Sequence, residues 1–278
     1  MDFRTPEGNK QYDALVAAAD RTVVGLDFDG VLAPIVDEPA SATIHPDGHR
    51  VLVDLAAEVR AVAVITGRPA RQAVQLGRLD EVADALARPN LHVLGQYGNE
   101  RWSAQTREFR SPPPPEGLSA FLEELPDLLA AHGAADAFVE HKEIAVAVHT
   151  RRLPDPQAIF DRVLPVLSAA AEAHGLGVEP GRQVVEIRGP GMHKGDAVRS
   201  IRREVGADGV LFAGDDLGDV EAFRMVATLR QAGSPGLLVC SGSEEQKALV
   251  ELSDIVVDGP AGVLDLLAKF VADTRAGQ

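Results

Sequence analysis

The chain of 278 residues is short of three things, and each shortage removes a class of function. It has a single cysteine, Cys240, so neither an internal disulfide nor a thiolate metal cage can form. That residue closes the apolar run Leu237-Leu238-Val239-Cys240, the setting of a buried structural thiol rather than of a nucleophile. Long apolar runs are missing too: nothing approaches the roughly 20 residues needed to cross a bilayer. Met1-Asp2-Phe3-Arg4 opens a polar segment without a signal-peptide core, so a cytoplasmic protein with no membrane partner is expected. The third shortage is of basic residues, with 27 Lys and Arg against 42 Asp and Glu and a formal net charge of −15. Such a surface repels nucleic acid and anionic lipid, and it accommodates a small anion only where local cations or a metal receive it.

What is present is an alternation of short β-branched runs with longer amphipathic stretches, the pattern of a mostly parallel sheet covered by helices. Strands are expected at residues 22–26, 62–65, 92–95, 210–213, 237–240 and 255–257. Helices are expected at 10–19, 49–59, 69–79, 194–205, 219–229 and 263–272. The stiff run Ser111-Pro112-Pro113-Pro114-Pro115 breaks this rhythm. Beyond it, helices at 118–131 and 157–174 and strands at 138–141, 144–149, 176–178 and 184–187 make an antiparallel α+β unit. Gly189-Pro190-Gly191 then marks the return of the parallel pattern. The expected organisation is therefore one Rossmann-like α/β domain, residues 1–107 and 189–278, interrupted by an inserted α+β domain at 108–188.

Four segments of the parallel domain carry chemistry. Asp27-Phe28-Asp29-Gly30 follows an apolar run and presents two carboxylates at the carboxyl end of a strand, where ligands of open α/β sheets bind. Taken alone it is equally an Asp-Gly turn. Thr66-Gly67-Arg68 ends the second strand with a hydroxyl and free amides that can hold a phosphoryl oxygen, or with a threonine that merely caps the next helix. Lys194 opens a helix, where a cation opposes the helix dipole unless an anion compensates. Finally, Asp215-Asp216-Leu217-Gly218-Asp219 sets three carboxylates within five residues at another strand end, a repulsive arrangement unless a hard cation sits among them.

Acid pair, threonine, lysine and acid cluster, in this order and mostly on strand ends, resemble the signature of the haloacid dehalogenase superfamily of phosphotransferases, with a cap domain inserted between the second and third motifs. The resemblance implies that Asp27 attacks phosphorus and forms an aspartyl-phosphate, and that Asp29 protonates the leaving oxygen and later activates water. It implies Mg²⁺ held by the Asp27 carboxylate, the Asp29 backbone carbonyl and Asp215, with Asp216 and Asp219 orienting those ligands or Lys194. Thr66, Lys194 and the amides after Asp27 would meet the remaining phosphoryl oxygens.

Within the superfamily the chain resembles the trehalose-6-phosphate phosphatases. The residues are Gly95-Gln96-Tyr97-Gly98-Asn99-Glu100, then Glu140-His141-Lys142 with Val148-His149-Thr150-Arg151, and Val185-Glu186-Ile187-Arg188. By this resemblance Glu140, Lys142 and Glu186 contact glucose hydroxyls. Gly67, Arg68, Asn99, Glu100 and Arg188 join them as expected substrate contacts. Periodicity alone would make Glu140 and Lys142 a surface ion pair on one face of a strand. The chain departs from the family pattern at Val31, where threonine is usual, at Tyr97, where histidine is usual, and at Gly218 and Val220. The expected activity is Mg²⁺-dependent hydrolysis of trehalose 6-phosphate, the last step of trehalose biosynthesis. The alternatives are another phosphosugar, such as sucrose phosphate or a phosphorylated glucosyl or mannosyl glycerate, and a catalytically silent phosphosugar-binding regulator.

Overall fold

The computed structural model describes residues 3–36, 38–189, 193–242 and 247–277; Pro190 and Gly191 of the expected return signal lie outside them. In chain order the first elements are α1 (Pro6–Ala17), β1 (Thr22–Leu26), α2 (Gly48–Glu58), β2 (Ala61–Ile65), α3 (Ala70–Gly77) and α4 (Leu79–Ala85). Then come β3 (Leu91–Gly95), β4 (Glu100–Ser103), β5 (Phe109–Arg110), α5 (Leu118–Ala131), β6 (Phe138–His141), β7 (Ala145–His149) and α6 (Pro156–Ala173). The chain continues through β8 (Gly177–Gly181), β9 (Val184–Arg188), α7 (Lys194–Val205), β10 (Gly209–Gly214) and α8 (Val220–Gln231). It ends with β11 (Gly236–Gly242), α9 (Lys247–Leu252), β12 (Ile255–Asp258) and α10 (Gly259–Ala276). Two compact units result: Met1–Arg110 with His193–Gln278, and Ser111–Met192.

The first unit is built on an eight-stranded sheet of order β12-β11-β10-β1-β2-β3-β4-β5, parallel from β12 to β3. β1 is buried at every position, as a strand between two parallel neighbours must be. Its period-two alternation divides the core. Val24 and Leu26 pack with Leu15, Leu52, Leu55, Leu267 and Phe270 from α1, α2 and α10. Val23 faces the other way, toward Val198, Ile201 and Phe223 from α7 and α8. The chain leaves β1 for β2 on one side and comes back as β10 on the other, so the carboxyl ends of β1 and β10 lie side by side at the point where a doubly wound sheet binds ligands. Asp27 N–H donates to Ala213 O at 3.0 Å and locks the two ends together.

Several local features differ from the sequence expectations, among them the short helix α9, which was not foreseen. α1 starts at Pro6, four residues before the expected 10, because the Thr5 side chain caps Gly8 N–H at 3.0 Å and Pro6 occupies the first turn. The helix expected over 69–79 stops at Gly77: Arg78 adopts a left-handed conformation, φ 46°, and α4 begins at once. β4 and β5 were not foreseen. They run antiparallel because the chain reverses through Gln96 and Tyr97, whose φ values of 48° and 59° are uncommon without glycine.

The second unit is a four-stranded antiparallel sheet, order β6-β7-β9-β8. Val146, Val148, Val185 and Ile187 form a core with Phe121, Leu125, Ile159 and Val163 of α5 and α6. Alternation sends the intervening residues to the opposite face. There Glu140, Ala147, Glu186 and Glu179 stand opposite one another in a single row across the sheet.

Candidate active site

The site of the first unit forms where β1 and β10 end. Asp27, buried to 4% exposure, also accepts its neighbour's N–H: Phe28 N donates to Oδ1 at 2.7 Å. The chain then turns back through Gly30, φ 70°. A Cβ there would lie 2.2 Å from Asp215 Oδ2, so only glycine lets this turn lie against the second acid cluster. Ser241 Oγ, at the end of β11, donates to Gly30 O at 2.5 Å and fixes the turn from the side.

Lys194, the first residue of α7, is buried, and its Nζ lies 2.7 Å from Asp27 Oδ2 and 2.7 Å from Asp219 Oδ1. The compensating anions that its place at a helix start demanded are these two aspartates. Asp219 is fully buried and its other oxygen accepts from Asp215 N at 2.9 Å and Asp216 N at 3.3 Å. It therefore organises both the cation and the loop after β10. Asp216 caps the following turn by accepting from Gly218 N at 2.8 Å.

Carboxylate oxygens of Asp27, Asp215, Asp216 and Asp219 gather within 4.8 Å of one another. At an effective dielectric of about 20, one such pair repels by about 3 kcal/mol. Burial, reinforced by Asp216 and Asp219, pushes Asp215 up to about 8. Burial likewise raises Asp27 well above the usual carboxylate range, with Lys194 opposing the shift and the other three acids adding to it. Burial would lower the Lys194 ammonium, but Asp219 and Asp27 outweigh it and the group stays charged. One cation among four crowded, hard oxygen donors is the donor chemistry of a divalent metal site, and these residues fit such an ion. Asp216, expected only to support the ligands, belongs to the four-carboxylate group, whereas the Asp29 carboxylate stands outside it.

Asp29 is held elsewhere. Both its oxygens accept from Arg68, Nε to Oδ2 and Nη2 to Oδ1, each at 2.7 Å. Thr66, at the end of β2, is buried and its Oγ1 accepts from Arg68 N at 3.1 Å, turning the loop so that Gly67 follows. The expected substrate contacts Arg68, Asn99 and Glu100 are committed within this unit. Asn99 Nδ2 donates to Gln96 O at 2.9 Å, and Glu100 accepts from Ala70 N, at the start of α3, at 2.6 Å. Gln96, quoted in the motif over residues 95–100 but given no role from the sequence, is buried with its amide on Gly67 O at 3.1 Å.

In the second unit, the sheet face away from the helices carries a charged cluster. Lys142 pairs with Glu186, Arg188 Nη2 donates to Glu179 at 2.9 Å, and His149 Nε2 lies 2.9 Å from Glu140. Glu186 is buried, and among the described residues its Oε1 accepts no hydrogen bond, Arg188 Nε lying 3.9 Å away.

The sheet, the strand-end acids and the buried lysine define the class: this is a haloacid dehalogenase-like α/β fold with an inserted α+β unit. A haloacid dehalogenase-like hydrolase from Bacteroides thetaiotaomicron superposes with a TM-score of 0.63 at 13% identity, covering 89% of this chain and 98% of that one. More specifically, the trehalose-phosphatase family model matches residues 131–255, somewhat under half of the chain. A trehalose 6-phosphate phosphatase of Zea mays is 29% identical over 297 residues, spanning 98% of this chain and 76% of the relative. The C-terminal domain of a C. albicans trehalose-6-phosphate phosphatase has a TM-score of 0.74 at 20% identity, with 98% of each chain covered. A Mycobacterium tuberculosis protein described as an uncharacterized glycosyl hydrolase is 33% identical over 215 residues, 74% of this chain, but the match spans only 15% of that longer protein. Among the described residues no helix is long and apolar enough to cross a membrane.

Proposed function

We propose that the protein is a phosphatase that hydrolyses trehalose 6-phosphate to trehalose and inorganic phosphate. The observation that carries this reading is Lys194 held 2.7 Å from both Asp27 and Asp219, beside two further carboxylates at the end of β10. Asp27 attacks phosphorus in line with the sugar oxygen. The ester P–O bond breaks as the aspartyl-phosphate forms, and Asp29 delivers a proton to the departing oxygen. Water, giving a proton back to Asp29, then attacks phosphorus and frees Asp27. Lys194 opposes the rise that burial imposes on Asp27, favouring its ionised form, and meets negative charge on the phosphoryl oxygens, which Thr66 Oγ1 also contacts. Asp27, Asp215 and the Asp29 backbone carbonyl would hold the cation, Mg²⁺ in this reading, with Asp216 beside them. When bound, that ion neutralises phosphoryl charge.

The sugar assignment draws support from the second unit and from the relatives' names. Oε1 of buried Glu186 accepts no hydrogen bond among the described residues, with Arg188 Nε 3.9 Å away; a sugar hydroxyl would satisfy it, and Glu140, Lys142 and Arg188 share its sheet face. The test is phosphate release from a panel of phosphosugars with Mg²⁺ and with excess chelator. Metal-dependent release selective for trehalose 6-phosphate is expected. Selective release from another phosphosugar would overturn the substrate, and no release from any would overturn the activity.

A further inference from the structure

The catalytic reading leaves unexplained why the acid proposed to protonate the leaving group sits in a guanidinium fork, and why two successive residues beside it adopt a strained backbone. We propose that Arg68 is a positioning residue for Asp29, and that the turn over residues 95–100 is built to hold Arg68 in that position. This rests on the phosphatase reading of Asp29.

The geometry of the fork comes first. Two parallel N–H···O bonds of 2.7 Å fix the plane of the Asp29 carboxylate as a single lysine contact could not. A carboxylate offers about four lone-pair sites. Arg68 occupies one on each oxygen, which leaves the outer sites for the transferred proton while denying the group free rotation. The guanidinium is itself fixed: Nη1 donates to Pro39 O at 2.8 Å, and Cζ lies 5.5 Å from the centre of the Phe28 ring. Only 11% of the Arg68 side chain is exposed, against 37% of Asp29, so the acid reaches solvent and the arginine stands behind it.

The grip on the Arg68 backbone is unusually complete. Gln96 N donates to Arg68 O at 2.9 Å, Gln96 Nε2 to Gly67 O at 3.1 Å, and Tyr97 N to Thr66 O at 3.0 Å. Three successive carbonyls of the loop are thus all bonded to one turn. The same turn supplies the Glu100 carboxylate to Ala70 N, just beyond the loop. Gly95 lies so close that a Cβ would come within 2.2 Å of that nitrogen. The turn bears a local cost for this. Gln96 and Tyr97 are both left-handed, and Gln96 Oε1 is buried with no hydrogen-bond partner among the described residues because Nε2 faces Gly67 O. Left-handed strain and an unpaired buried acceptor persist only where the surroundings over-determine them, and here the surroundings are the loop carrying Thr66 and Arg68.

A displacement of about 1 Å in a catalytic group can cost about 10²-fold, and the contribution of a general acid grows as the leaving group becomes more basic. The experiment compares kcat/KM, which reports only the first chemical step, for phenyl phosphate and 4-nitrophenyl phosphate. It is run with Mg²⁺ on the full chain and on Arg68→Ala, Arg68→Lys and Gln96→Ala. Phenyl phosphate, with the poorer leaving group, should lose about 10²-fold in both Arg68 variants, and 4-nitrophenyl phosphate about 3-fold or less. Inhibition by inorganic phosphate should stay within about 2-fold of the unsubstituted chain. Free guanidinium should restore part of the phenyl phosphate loss in Arg68→Ala. Gln96→Ala should separate the two esters in the same direction by about 3-fold to 10-fold, a result that stands even if an Arg68 variant fails to fold. Equal losses on both esters, or none on either, would overturn the positioning role. If the losses are equal and phosphate inhibition weakens, Arg68 binds the phosphoryl group instead. Hydrolysis of neither ester by the unsubstituted chain would overturn the phosphatase reading itself.

Discussion

Gly30 shows how tightly single residues constrain this site. Its positive φ and its approach to Asp215 leave no volume for a methyl group, so the turn after Asp27 and the loop after β10 can share one space only with glycine there. The acids around it divide the work by environment. Asp27, buried against Lys194, is the nucleophile of the proposed reaction. Asp27→Asn should lower trehalose 6-phosphate turnover by on the order of 10⁴-fold or more, measured by phosphate release, and near-normal turnover would remove Asp27 from the role. Glu186 is the corresponding residue of the sheet face in the second unit. With its Oε1 lacking a hydrogen-bond donor among the described residues, Glu186→Ala should cost trehalose 6-phosphate about 10-fold to 10²-fold in kcat/KM while leaving 4-nitrophenyl phosphate close to normal. Equal losses would mean that Glu186 does not read the sugar.

The elements carry these residues to their places by simple means. β1 and β10 end side by side because both are apolar strands of one parallel sheet, and acids placed directly after them must meet at its carboxyl edge. That much follows from Asp27 and Asp215 in the sequence. The turn over residues 95–100 is different in kind: its six residues read as a glycine-flanked loop, and its hold on residues 66–68 depends on β2 and β3 being paired in register. Gly95 is the contact to test. A methyl group there meets the Ala70 backbone, which cannot rotate away as a side chain could, so Gly95→Ala should destabilise the chain by about 3 kcal/mol or more in denaturant melts. A loss below about 1 kcal/mol would show that the loop and the turn are not packed as described.

At the scale of the whole molecule the acid cluster couples folding to pH and to cation binding. Asp215 titrates at about 4 in the unfolded chain and near 8 in the fold. Between these values the folded chain holds more protons at Asp215 than the unfolded one, so this group's contribution to stability falls as pH rises, from full strength below about 4 to its loss by about 8. A divalent cation requires the deprotonated carboxylates and reverses the penalty. The rise in Tm on adding Mg²⁺ should therefore be larger near pH 8 than near about pH 5, and it should vanish in Asp215→Asn. An increment independent of pH would separate Mg²⁺ from this cluster.

The sequence by itself determined the parallel α/β class, the strand ends bearing Asp27, Thr66 and Asp215, and the antiparallel insertion, because hydrophobic period and proline or glycine punctuation are local properties. Alternation along Glu140-His141-Lys142 also told that Glu140 and Lys142 share a face, whereas the row that sets Glu140 and Glu186 on either side of Ala147 came from strand register. Only the tertiary structure decided the partners. Lys194 lies 25 residues from Asp219 and farther still from Asp27, Arg68 lies 39 residues from Asp29, and Glu100 lies 30 residues from the helix start it caps. No periodicity encodes such pairings. They exist because burial removes water as a competing partner, so that each charge must find its counter-charge wherever the fold delivers one.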